Sequence, residues 1–267
     1  MIEVLNLEKI IKILCAQFIC LIVFISCTVN PSFAQDPIQL GTETEDIILT
    51  DDVNLAKAQV EKYPDNPEAH FNLAIALSRT SYVEEAIKEL RKTKLLIRKP
   101  KNAGTIDRKI DEYKEMLENN PDTSYKNNIR YRLAFSHYLK AYLVSKEIEK
   151  QNGNKTKKTS ILDSNPFALK NTDPKIKDNL DLSLYYFQEQ LKSNPSDLWA
   201  KIYYAFILAE QYNETENAKK LWTEVSIAAP NNPAPHLFLG ELKIKEGKLK
   251  EGLTEVSKAI LLRSLGN

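Results

Sequence analysis

The stretch Pro230–Arg263, PNNPAPHLFLGELKIKEGKLKEGLTEVSKAILLR, decides the fold of this chain. Its apolar and small residues recur at helical spacing in two consecutive runs, with Gly247 in a polar turn between them. That pattern predicts two antiparallel helices packed as a hairpin. Related stretches lie upstream, from Pro67 to Arg98 and from Leu198 to Pro230, each followed or preceded by the same proline-bearing turn.

The rest of the composition agrees with an all-helical chain. Only seven of the 267 residues are glycine, strand-like alternation is absent, and Lys, Glu, Leu and Ala fill periodic runs. A formal net charge of +1 provides no global pull toward nucleic acid or anionic lipid. All three cysteines, Cys15, Cys20 and Cys27, fall inside the N-terminal apolar segment, so the body has neither a disulfide framework nor a cysteine metal site.

Counting Pro233 as the first position, His236, Leu239, Gly240, Gly247, Gly252, Val256 and Ala259 fall at 4, 7, 8, 15, 20, 24 and 27. This spacing resembles the tetratricopeptide repeat (TPR) family, whose unit is a helix A, a turn and a helix B of about 34 residues. The repeat from Pro67 places His70, Leu73, Ala74, Leu77, Ala86 and Leu90 at the equivalent positions, and Thr93 departs from the usual alanine at the last one. In the next-to-last repeat Tyr204, Ala205, Leu208, Ala218, Trp222 and Val225 match after one extra residue between Tyr212 and Asn217. The last copy carries Lys243 where a large apolar residue is usual and Gly252 where alanine is usual. The fold expected is an all-α, TPR-like solenoid of about three clear repeats plus one interrupted copy. Leu73, Ala74, Ala86, Ala205, Ala218, Trp222, Leu239, Gly240 and Ala259 are its expected packing residues, the small ones setting how closely helices A and B approach.

Five segments follow. Residues 1–34 read as a signal peptide or membrane anchor: the uncharged run Ile13–Val29 follows Lys9 and Lys12 and precedes Ser32-Phe33-Ala34. Cleavage after Ala34, retention as an anchor, and lipidation at Cys27 behind Phe24-Ile25-Ser26 are the three fates this segment allows. Each places the body outside the cytoplasm, in the periplasm or cell envelope. Residues 35–53 read as an acidic flexible spacer, 54–150 as N-terminal TPR-like helices, 151–176 as a disordered Asn/Lys-rich insertion, and 177–267 as C-terminal TPR-like repeats. Thr105–Asn119 is an orphan: it has the apolar face of a helix, yet no helix A precedes it. The run Arg91–Lys101 holds six cations and no acid; it reads as a solvated helix end or, more sharply, as an anionic docking patch.

Catalytic signatures are missing. No glycine-rich phosphate loop, HExxH, GxSxG or paired-cysteine motif occurs, and His70, His137 and His236 stand at packing positions far apart along a solenoid. The expectation is a non-enzymatic chain without cofactor, metal or nucleic acid, with a protein or peptide partner. The resemblance implies a concave groove lined from helices A, here by Phe71, Asn72, Ile75, Arg79, Tyr203, Phe206, Phe238, Glu241 and Lys245. That lining suits a partly apolar peptide or helix, though several of its aromatics would serve equally as inter-repeat core. Membrane association through residues 13–29 and self-association through the C-terminal helix complete the expected contacts; the alternative function is a membrane-tethered assembly factor.

Overall fold

A computed structural model describes residues 47–151 and 173–265. The expected signal, anchor or lipidation segment, most of the spacer and nearly all of the insertion lie outside the described residues. Among those described there are ten α-helices and no strand: α1 (Val53–Lys62), α2 (Pro67–Ser78), α3 (Val83–Leu96), α4 (Thr105–Asn119), α5 (Thr123–Gln151), α6 (Pro174–Ser193), α7 (Leu198–Gln211), α8 (Thr215–Ala228), α9 (Pro233–Lys245) and α10 (Leu249–Leu265), with one 3₁₀ turn at Pro100–Asn102. Apart from α3 and α4, neighbours in sequence pack as neighbours in space, giving an all-α helical solenoid.

The repeat boundaries have one local cause. In the turns before α2, α7 and α9, the backbone N–H of Asn66, Asp197 and Asn232 donates to the carbonyl three residues earlier, at 3.0–3.1 Å. The side chain of each then accepts from an N–H in the first turn of the helix that follows, as Asp173 does for α6. A proline at N1 in α2, α6 and α9 gives up no hydrogen bond there, because that N–H has no intrahelical partner.

Each hairpin crosses where both helices are small. Gly240 meets Gly252 and Ala134 meets Ser183; Ala74 with Ala86 and Ala205 with Ala218 stand at the equivalent repeat positions, and all eight are buried. Large residues fill the space around the crossings. Trp222 stacks on Phe238 with centroids 5.4 Å apart and donates its indole N–H to the Ile202 carbonyl at 3.0 Å. Ser183, which stands where the other copies have Ala or Gly, is buried at no cost in unmet polarity because its hydroxyl donates to the Ala134 carbonyl at 2.6 Å. The extra residue of the α7–α8 turn is absorbed by Asn213 at φ 56°, a left-handed conformation that asparagine tolerates better than most residues.

Two segments differ from the sequence reading. Residues 47–52, expected as the end of a flexible spacer, are fastened to the body. Arg132 of α5, fully buried, donates to the Thr50 carbonyl at 2.8 Å, to Asp51 at 2.6 Å and to Asn72 at 2.9 Å, while Gln59 donates to the Ile48 carbonyl at 2.8 Å. A buried guanidinium needs acceptors on every side, and this segment supplies two of them, the Thr50 carbonyl and the Asp51 carboxylate. Helix α6 begins at Pro174, within the last residues of the span read as insertion.

The orphan α4 finds its place as well. It packs along α5, burying Ile106, Ile110 and Tyr113, and ties to both flanks through Lys140–Asp107 at 2.8 Å and the Lys109–Glu68 ion pair. It thereby takes the position beside α5 that helix B of the first repeat would hold in a regular stack. Helix α3 makes fewer contacts with α5 and extends its apolar face to α7 and α9 as well.

Candidate functional site

The face formed by helices A is the site to test, and α3 is the element that defines its accessibility. Ile87 and Leu90 of α3 share an apolar cavity of about 30 Å³ with Phe135 and Tyr138 of α5, Tyr203 and Phe206 of α7, and Phe238 of α9. A space of that order holds a water or two, not a ligand. The aromatics interlock: Phe135 and Tyr203 meet edge to face with centroids 5.1 Å apart, and Phe206 and Phe238 meet tilted at 5.4 Å. At the N-terminus of α3, Arg263 of α10 bridges to Glu84 at 3.1 Å and to Glu85, and its guanidinium lies over the Tyr82 ring. The first hairpin and the last are thus joined across the face that the resemblance left open.

Five of the nine expected groove residues are consequently core. Phe71, Asn72, Ile75, Tyr203 and Phe238 are at most 5% exposed, and Asn72 spends its amide on Arg132 and the Ile48 carbonyl. The alternating sizes that suggest a groove are the same ones that fill a closed face, so spacing could not separate the two. The other four sit at the rim. Phe206 is half-buried, Glu241 and Lys245 are exposed, and Lys245 pairs with Glu210. Arg79 lies over the Tyr131 ring, 4.1 Å from its centroid, with no hydrogen-bond acceptor for its Nε or Nη2 among the described residues. The nine expected packing residues, from Leu73 to Ala259, are all buried.

The histidines are built into packing. His70 meets Glu89 at 2.6 Å and the Pro64 carbonyl at 2.9 Å; His236 meets Glu255 at 2.8 Å at the same repeat positions. His137 stacks on Tyr186 and takes Asn179 at 3.1 Å; burial holds its pKa below the ordinary value. Among the described residues no three His, Cys, Asp or Glu converge as metal ligands. No helix among them is long and apolar enough to cross a membrane.

One residue that the sequence pattern places at a solvated helix end is buried instead. Lys94 is 4% exposed; its ammonium lies 4.5 and 4.6 Å from the Tyr138 and Tyr142 ring centroids and donates to the Tyr138 hydroxyl at 3.2 Å. Burial pushes its pKa down to about 7, with Arg91 and Lys146 adding to the effect. The signal available was its spacing: Lys94 follows Ile87 and Leu90 at intervals that keep it on the apolar face of α3. Two further cations of that run are paired within the chain, Lys99 with Asp65 at 2.9 Å and Lys101 with Asp65 at 3.9 Å.

No protein-family model matches the chain, and no curated protein matches it. Among solved structures, the crystal structure of yeast Tom70 is similar, with a TM-score of 0.32 and 16% identity over 79% of this chain. The matched region spans 38% of that protein's chain. A likeness of that size carries no weight, and the fold rests on the packing described above.

Proposed function

We propose that this chain is a non-enzymatic, TPR-like helical scaffold that binds another protein outside the cytoplasm. The observation that carries the reading is the use of the side chains. Histidines, buried serines and the buried arginine are spent on joining helices, whereas the rim of the A-helix face keeps Phe206 of α7 half-exposed and Glu241 and Lys245 of α9 exposed, Lys245 being paired with Glu210. A scaffold presents surface of this kind without needing convergent acid, base or nucleophile.

Affinity purification of the tagged full chain from its own cells, with chemical cross-linking and mass spectrometry, tests this. A stoichiometric protein partner is expected, and it should be lost when Glu241→Lys and Lys245→Glu are combined. A partner that survives the double variant sinks the rim assignment; the absence of any protein partner sinks the scaffold reading.

The apolar run Ile13–Val29 favours a second reading, a membrane-tethered assembly factor. Mass spectrometry of the mature N-terminus separates the two, because a chain beginning at Gln35 has lost that tether.

A further inference from the structure

Helix α10 presents a face that its counterpart in the interrupted repeat keeps covered. In that repeat, the residues one and eight positions beyond the small crossing residue are Leu184 and Leu191 of α6, both partly buried against the core, and α7 packs on α6. At the equivalent places α10 carries Leu253 and Ile260, which are 39% and 50% exposed, continued by Leu261 at 56% and Leu265 at 73%. Among the described residues no helix lies on them. The strip therefore continues the interface by which one hairpin stacks on the next, and its geometry asks for a helix in the place α7 takes on α6.

The charges around the strip define that helix further. Lys250 and Lys258 border it and are exposed. Of the acids of α10, Glu255 is held by His236 and Lys243 at 2.8 and 2.9 Å, while Glu251 stays exposed and reaches Lys243 at 4.0 Å. An occupant thus meets leucines and isoleucine in the middle and cations at the edges. We propose that the outward face of α10 docks an amphipathic helix of another protein, aliphatic on its buried side and acidic along its flanks. This deepens the scaffold reading and rests on it, on a surface separate from the A-helix rim.

The test uses the full chain and a labelled 18-residue helical peptide with leucine at i, i+3, i+4 and i+7 and glutamate at its flanks, alongside a counterpart with lysine flanks. Fluorescence anisotropy should show saturable binding of the acidic peptide and at least tenfold weaker binding of the lysine one. Leu253→Glu combined with Ile260→Glu should abolish binding while leaving the melting temperature unchanged, since both side chains are exposed. Failure of the acidic peptide to bind, equal binding of both peptides, or binding that survives the double variant overturns the proposal. So does a dimer in light scattering that the same variant dissolves, which assigns the face to a second copy. A partner captured from cells that the double variant retains overturns this face and leaves the scaffold reading standing.

Discussion

Gly240 and Gly252 face each other across the α9–α10 crossing so closely that a Cβ on Gly240 would lie 2.9 Å from the Gly252 carbonyl oxygen, and one on Gly252 2.8 Å from that of Gly240. Val256 Cγ2 and Ile244 Cγ1 stand closer still, at 2.7 and 2.5 Å, and while a side chain can shift, the backbone oxygens cannot rotate aside. Gly252→Ala gains about 1 kcal/mol in helix propensity. It nevertheless forces α9 and α10 apart, a strain of roughly 1–3 kcal/mol. We expect a net loss of stability in denaturant unfolding, although alanine is the residue the repeat pattern prefers at that position. A gain would show that the two helices separate without cost.

Arg132 ties α5 to α2 and to residues 47–52. Arg132→Met leaves Asn72 and Asp51 without their cation, and loss of one partner from a buried charged network costs about 3–5 kcal/mol. Hydrogen exchange should show residues 47–52 losing protection before the helices do. Uniform loss across the body would mean that these residues are held by other contacts.

Lys94 gives a pH signature. A lysine in the unfolded chain titrates near 10.5 and this one at about 7, so the unfolded state binds more protons between those values and stability rises with pH there. Arg91 from α3, Lys146 and the Tyr138 and Tyr142 rings from α5 face the ammonium. Every tenfold loss of proton affinity on folding corresponds to about 1.4 kcal/mol, so the rise is large enough to measure. Chemical unfolding between pH 7 and 9 should show it. Lys94→Met should remove it and be the more stable protein at pH 7; an unchanged slope in that variant would assign the rise to another group.

Glu255 gives a signature of opposite sense. Burial raises its pKa, but Lys243 and His236 more than offset this and hold it below the ordinary 4.5. A depressed carboxylate contributes stability above its unfolded pKa and loses it as pH falls through the folded value. Glu255→Gln should lower stability at neutral pH and flatten the acid decline below pH 4.5, seen as a smaller gap to the wild type at pH 3 than at pH 7. A constant gap would show that the ion pair contributes nothing.

Much of the fold was legible. Prolines and Asn or Asp before α2 and α9 marked helix starts, and the small residues at Ala74, Ala86, Ala205, Ala218 and Gly240 marked the crossings, because both are local requirements of backbone geometry and volume. The candidate site was less so. Phe71, Ile75, Tyr203 and Phe238 have the same types and spacing whether they line an open groove or a closed face. Whether a face is open depends on which element comes to lie against it.

The sequence alone determined the helices, their pairing into hairpins and the residues at their crossings, since each of these follows from periodicity, capping and side-chain size within one repeat. Tertiary structure decided the rest. Placing α4 beside α5 brings α3 over α7 and α9, buries Lys94 and lets Arg263 reach Glu84. Contacts between residues so far apart in the chain depend on how successive hairpins are rotated, and no local pattern encodes that rotation.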